Sequence, residues 1–204
     1  MTQRTAQAAA TRAKILETTV AALEAGGDDA VRVAEIVAAA GVSTGALYHH
    51  FGGREGLVVA ARVEQFRAAL PPDVDALVEL VATATSVEEF RAGMRRIARL
   101  AHGASRARNR SLRADVIGAA HGQPALADAL AEEQHAHAVA LEAMMRKAQE
   151  RSFLARDLDP HAVAVLFQGL SFGLILSDLD TIEPLDEDRW GELIGRLIDA
   201  VLAP

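Results

Sequence analysis

Cysteine is absent from the 204 residues, which excludes disulfides and thiolate metal ligands and fits a reducing compartment. No stretch alternates apolar and polar residues with a period of two, so no strand is expected, and no repeat recurs at a fixed period. The N-terminal stretch MTQRTAQAAATRAK lacks the apolar core of a secretory signal, so a cytoplasmic protein is expected. The longest apolar run, 162–176, is interrupted by Gln168, Gly169 and Gly173. It falls short of the roughly 20 residues a spanning helix needs, and no membrane association is expected. There is no glycine-rich phosphate loop, no nucleophilic cysteine and no His-Glu-x-x-His, and Asp178 and Asp180 have no partner motif. His135 and His137 lie about 200° apart around a helix and cannot share one metal ion. Accordingly no catalytic residue, metal site or cofactor is expected, and an all-α enzyme is the weaker of the alternative readings.

Lysine is scarce: nineteen of the 21 basic residues are arginine, a bias that, with the alanine richness, suggests a GC-rich genome. The net charge of −7 is unevenly spread. Residues 1–67 hold seven basic and seven acidic side chains, whereas 68–204 hold fourteen and twenty-one. The second part would be repelled by phosphate and the first would not. Half of the residues are hydrophobic, ample for a core.

What is present is helical periodicity, and its most informative stretch is 33–57. Val33, Ile36, Val37 and Ala40 form the apolar stripe of a short helix. Gly41 can close that helix in the left-handed conformation, and Ser43 can cap the next one. Two helices about three residues apart must cross steeply. In the second, Ala46 and Leu47 can face the first helix while Thr44, Tyr48 and His49 project outward, a polar row suited to a DNA groove.

The segment Ala40-Gly41-Val42-Ser43, Gly45-Ala46, Leu47-Tyr48-His49-His50-Phe51 and Arg54-Glu55-Gly56-Leu57 resembles the signature of TetR-type transcriptional regulators. The resemblance implies an all-α chain with an N-terminal three-helix helix-turn-helix domain and a larger helical ligand-binding and dimerisation domain. The expected boundaries are 1–51, with a loose arm over 1–10, a connecting helix over 52–72, and 73–204. It implies DNA contacts by Arg32, Ser43, Thr44, Gly45, Ala46, Tyr48, His49, His50 and Arg54. Tyr48 and His50 would reach phosphate, and Thr44 and His49 base edges. Arg32 stands where the family often has a hydroxyl and Arg54 where it has lysine, and these are not equivalent donors. Function would be that of a dimeric regulator, most often a repressor, bound to double-stranded DNA at an inverted repeat and answering to a small effector. The alternative is a helical interaction protein whose helix-turn-helix has lost DNA binding.

The remaining elements follow in order. A first helix carries Ile15, Thr19, Ala22 and Leu23 and ends at Gly26-Gly27. A fourth carries Leu57, Val58, Ala61, Phe66 and Leu70 up to Pro71-Pro72, either transmitting motion or merely connecting. Ser86 to Glu89 is a capping box opening a helix through Phe90, Met94, Ile97 and Ala101. The four arginines of 106–113 suit a solvated turn or pairing with nearby acidic helices better than DNA. Another helix begins at Leu112, Val116 and Ile117 and ends near Gly122-Gln123-Pro124. In the long helix 124–151, Leu130, Gln134, His137, Leu141, Met144 and Ala148 form one stripe. Its amide and imidazole need a partner: another helix, a second subunit or a ligand. A pocket among the helices from Phe90 to Met145 would draw on Phe66, Met94, Ile97, Leu112, Val116, His121, His137 and Met144. Mostly apolar lining favours a hydrophobic ligand. Asp159-Pro160 opens a helix over 162–178 that is apolar nearly all round and needs cover on both sides. With the last helix, 186–201, it is expected to form a dimer interface of Val163, Phe167, Leu170, Gly173, Leu174, Trp190, Ile194 and Leu197.

Overall fold

A computed structural model describes residues 3–70, 73–180 and 182–202, and among these every regular element is helical. The α-helices are α1 (Gln3–Gly26), α2 (Val33–Ala40), α3 (Thr44–Phe51), α4 (Arg54–Ala69), α5 (Asp73–Thr83), α6 (Val87–His102), α7 (Ala107–Ala120), α8 (Pro124–Glu150), α9 (Pro160–Gly173), α10 (Ile175–Asp178) and α11 (Glu187–Val201). Single 3-10 turns stand at Asp28–Ala30 and Ala104–Arg106. The expected stop at Pro71-Pro72 lies outside the described residues.

The chain divides into two compact units, Met1–Ala68 with Asp115–Ala131, and Ala69–Ala114 with Glu132–Pro204. The stretch 115–131 thus packs with the N-terminal unit, whereas sequence grouped it with 73–204. Its apolar side chains explain why: Val116 and Leu126 are fully buried there. Helices α7 and α8 each pass without a break from one unit into the other.

In the first unit α1 packs on α2, α3 and the 3-10 turn, and α2 on α3. Ile15, Leu16, Leu23, Val31, Ile36, Ala40 and Leu47 form its core, completed by Leu57, Val58 and Ala61 of α4. The first turns of α4 are therefore part of this core and more than a connector. α1 is helical from Gln3, where a loose arm to residue 10 was expected. Residues 3–10 are exposed, so the high helix propensity of Ala6 and Ala8 to Ala10 holds them in register rather than packing.

In the second unit α6 packs on α5 and α11. The core joins Leu77, Leu80 and Val81 to Phe90 and Met94, to Leu141, Met145 and Ala148, and to Ile194 and Ile198. Phe90 and Phe153 stack with centroids 5.1 Å apart. Ser86 Oγ accepts from Glu89 N–H at 3.1 Å, and Glu89 accepts in turn from Thr85 N–H and Oγ at 2.7 Å, so the expected capping box forms one residue early on its return side. The end of α5 is capped from afar: Arg151 donates to Val81 O and, at 2.8 Å, to Ala84 O while lying over the Phe153 ring. The helical run Pro160–Asp178 reaches 19 residues with mean hydropathy 1.5, longer than the apolar run read from sequence, and only 22 % of that window is buried.

Candidate functional site

The turn between α2 and α3 is built by local capping. Gly41 adopts φ 62° and ψ 40°, the left-handed geometry that lets Val42 N–H reach back to Val37 O at 3.0 Å. Ser43 is extended, and its Oγ accepts from Ala46 N–H at 3.2 Å, starting α3 two residues after the turn. Leu47 is fully buried, whereas Tyr48 is 53 % exposed. Thr44, Gly45 and His49 are exposed, and Ala46 and His50 half-buried. One side of α3 thus packs on α1 and α2, and the other is a polar side that carries no acid. Gly53 supports the tyrosine: a Cβ built there would meet Tyr48 Cε1 at 3.5 Å, so the ring lies across the turn after α3. The rings of His49 and His50 meet edge to face at 5.2 Å.

Two expected phosphate contacts find protein partners. Arg32 precedes α2, and its guanidinium pairs with Glu35 at 3.0 Å in full solvent exposure, a weak and exchangeable pair. Arg54 Nε donates to Val31 O at 2.9 Å and Nη2 to Asp28 O, fastening α4 to the chain that enters α2. Arg62 adds two bonds to Asp28 Oδ1, at 3.1 and 2.6 Å, and one to the buried Gln65 at 3.2 Å. Sequence reading overlooked two bases on α1 beside this surface. Arg12 lies over the Phe51 ring at 5.4 Å, and a Cβ at Gly41 would meet Lys14 Nζ at 3.5 Å. Their signal was the spacing from Ile15 and Leu16, which puts them next to the buried stripe of α1.

The second unit holds a partly open cavity of about 60 Å³. Leu77, Met94, Ile97, Ala98, Ala101, Leu141, Met145, Ala164 and Phe167 give it apolar walls, and Arg113, His137, Gln168 and Ser171 its polar groups. Met94, Ile97 and His137 were expected there. Met144 is buried in the adjoining core, because His137, Leu141 and Met145 share the face of α8 that lines the cavity. Leu112 is half-buried and does not line it, Phe66 and Val116 are buried in the first unit, and His121 is exposed because α7 ends at Ala120. Burial holds the His137 imidazole below its ordinary pKa, and the Arg113 guanidinium lowers it further. Gln134, the second polar member of the α8 stripe, donates to Gln168 Oε1 on α9 at 2.6 Å, so another helix is its partner. The arginine run is partly inward: Arg110 is buried and bidentate to Asp178 at 2.6 Å for both bonds, and Arg113 lies over Phe172 at 5.3 Å.

Of the residues expected at a dimer interface, packing turns some inward and leaves others on the outer side. Val163, Leu174 and Ile194 are buried within the chain, Phe167 lines the cavity, and Leu170, Trp190 and Leu197 are half-buried. Outward lie Val165, Leu166, Gly169, Leu176 and the expected Gly173, with Leu185 and Leu193 beyond them, and the groove on this side is also lined by the expected Leu170, Leu174 and Trp190. A helix apolar on all sides carries no sequence signal for which side turns in.

A buried-face helix pair presenting a second, solvent-facing helix defines a helix-turn-helix. Residues 15–61 match the family model for bacterial regulatory proteins, tetR family. The fold is shared with solved structures at low identity. A protein from Rhodococcus sp. assigned to the TetR family is 24 % identical over 95 % of this chain and 98 % of its own, with TM-score 0.63. One from Mesorhizobium loti, likewise assigned, is 18 % identical over 99 % and 98 %, with TM-score 0.70. Salmonella enterica GusR is 18 % identical over 94 % and 95 %, with TM-score 0.60. No curated protein matches the sequence. Residues 15–61 thus match the tetR-family helix-turn-helix model, and the chain as a whole shares its fold with these solved structures.

Proposed function

We propose that the protein is a cytoplasmic homodimeric repressor that binds an inverted-repeat operator and leaves it when a small, mostly hydrophobic effector occupies the cavity of the second unit. The observation that carries the DNA half is the exposed row of Thr44, Tyr48 and His49 on a helix whose opposite side, at Leu47, is fully buried. In this reading Tyr48 and His50 hold phosphate, Thr44 and His49 meet base edges, and Ser43, Gly45 and Ala46 let the helix N-terminus approach the backbone. Arg32 can trade Glu35 for phosphate, whereas Arg54 serves by positioning the segment before α2. Support for the dimer comes from the outward apolar face of α9 and α10, since leaving Val165, Leu166 and Leu176 in water forfeits roughly 1.5–3 kcal/mol for each side chain that could be fully covered. Support for coupling comes from covalent continuity: α7 and α8 supply Arg113, His137 and Leu141 to the cavity and run on into the segment 115–131 of the first unit.

The test is fluorescence anisotropy with duplexes tiled across the DNA upstream of the protein's own gene. Wild type should bind one inverted repeat, and Tyr48→Phe with His50→Ala should weaken binding, with a change in log–log salt slope smaller than the about 0.9 that a lost Lys or Arg contact to phosphate gives. Salt slope and affinity unchanged in a folded double variant would remove the assignment. Binding to no duplex would favour an interaction protein.

A further inference from the structure

A hydroxyl inside a helix commonly donates to the carbonyl one turn back, and Thr11, Thr18 and Thr19 on α1 and Thr83 on α5 all do so. Ser171 on α9 does not. It is 5 % exposed and lines the cavity, and among the described residues its hydroxyl has no hydrogen-bond partner. A buried hydroxyl set against hydrocarbon is unfavourable, so this one calls for a partner that the chain does not supply. Gln168, three residues earlier, has its carbonyl occupied by Gln134, which leaves its amide N–H groups to donate. The His137 imidazole lines the same space and is held neutral near pH 7 by burial. Arg113 is engaged within the protein and lies over Phe172, and no carboxylate stands among the described lining residues. An ionised occupant would leave water without a free opposite charge to meet it, which is costly. A neutral acceptor on an apolar body meets the donors and the walls together.

We propose that the effector is a neutral molecule with one carbonyl oxygen on a compact apolar body, a ketone or ester, whose oxygen accepts from the Ser171 hydroxyl and a Gln168 N–H while the body lies against Met94, Ile97 and Met145. This rests on the reading of the cavity as the effector site. Residues three apart share one side of a helix, and a carbonyl oxygen has two lone pairs, so one atom can take both bonds. A carbonyl also adds no donor of its own beside the hydroxyl, amide and imidazole N–H groups already present. A volume of about 60 Å³ is well below the roughly 150 Å³ that accepts a benzene ring, so the body enters by displacing side chains. The methionines can yield, having three rotatable bonds each.

Isothermal titration of the full chain at pH 7.5 with acetophenone and cyclohexanone, each beside the alkene of the same shape, α-methylstyrene and methylenecyclohexane, tests the carbonyl. At least one ketone should bind about 10-fold more tightly than its alkene, which makes no hydrogen bond and leaves the donors unpaired. Ser171→Ala, a change that a helix favours, should cut that preference by about threefold or more without weakening alkene binding, with circular dichroism confirming the fold. Benzoate, close to acetophenone in shape but charged, should bind more weakly than acetophenone. Equal binding of ketone and alkene, a ketone preference that survives intact in Ser171→Ala, tighter binding of benzoate, or no saturation by either ketone at 10 mM overturns the proposal. Operator anisotropy in the same solutions separates the two readings. An alkene or benzoate that binds better and releases DNA refutes the carbonyl but leaves the effector site. Ketones that bind through Ser171 and leave operator affinity unchanged support the carbonyl site and refute its reading as the effector site.

Discussion

Arg54 occupies the position where a DNA-contacting lysine is expected by resemblance, yet its guanidinium is held by Val31 O and Asp28 O. Replacing it by methionine keeps most of the aliphatic stem and removes both bonds. A hydrogen bond from a charged donor is worth about 1.5–3 kcal/mol when sheltered, but Arg54 is exposed, and water and salt offset much of that. Arg62 still holds the Asp28 side chain, which limits the disorder that follows. The expected loss is therefore about 1–2 kcal/mol for the two bonds together, or roughly 2–8 °C in Tm for a chain of this size. Arg54→Lys should recover little, because one ammonium lacks the fork that spans two carbonyls. Urea unfolding gives the stability, and operator titrations over a range of salt give the number of phosphates neutralised. Affinity should fall only as far as the start of α2 loosens, and the salt slope should stay at the wild-type value. A slope reduced by about 0.9 for each subunit, with the urea midpoint unmoved, would show that Arg54 leaves its carbonyls for DNA and would refute the positioning role.

Three further outcomes can be measured. Gly56→Ala should destabilise by about 2 kcal/mol or more, since the new Cβ would sit 2.0 Å from Phe51 O, while Gly45→Ala should leave the urea midpoint nearly unchanged because its Cβ meets only Ser43 Oγ at 3.9 Å. His137→Gln should flatten stability between about pH 7.5 and 5: the native state disfavours the charged imidazole, so wild type loses stability as pH falls through the unfolded value near ~6.5, and the glutamine has no proton to gain. Light scattering should give wild type about twice 21.6 kDa, and Gly173→Leu, whose side chain meets nothing within 4 Å in its own chain, should shift the mass toward the monomer. A wild-type mass near 21.6 kDa at micromolar concentration would contradict the dimer.

The helix-turn-helix was legible in the residues alone because its determinants are local. Gly41 closes α2 and Ser43 starts α3 through backbone groups no more than five residues away, and the alternation of Leu47 with Tyr48 decides what is buried. The capping box at Ser86 to Glu89 and the Asp159-Pro160 start are of the same kind. The carbonyl partners of Arg54 were not legible because they lie 23 and 26 residues away, and no local pattern marks a backbone carbonyl as an acceptor. The pairing expected as one alternative for the arginine run is met by Arg110 on Asp178, whereas the place of Arg113 beside the cavity and over Phe172 depended on how α7 is turned. For α9 the composition established that every side needs cover. Only packing against the second unit's core selected Val163, Phe167 and Ser171 as the inner side and left Val165, Leu166 and Leu176 outside. Membership of 115–131 in the first unit was equally a tertiary decision, since a continuous helix carries nothing in its sequence to mark where its neighbours change.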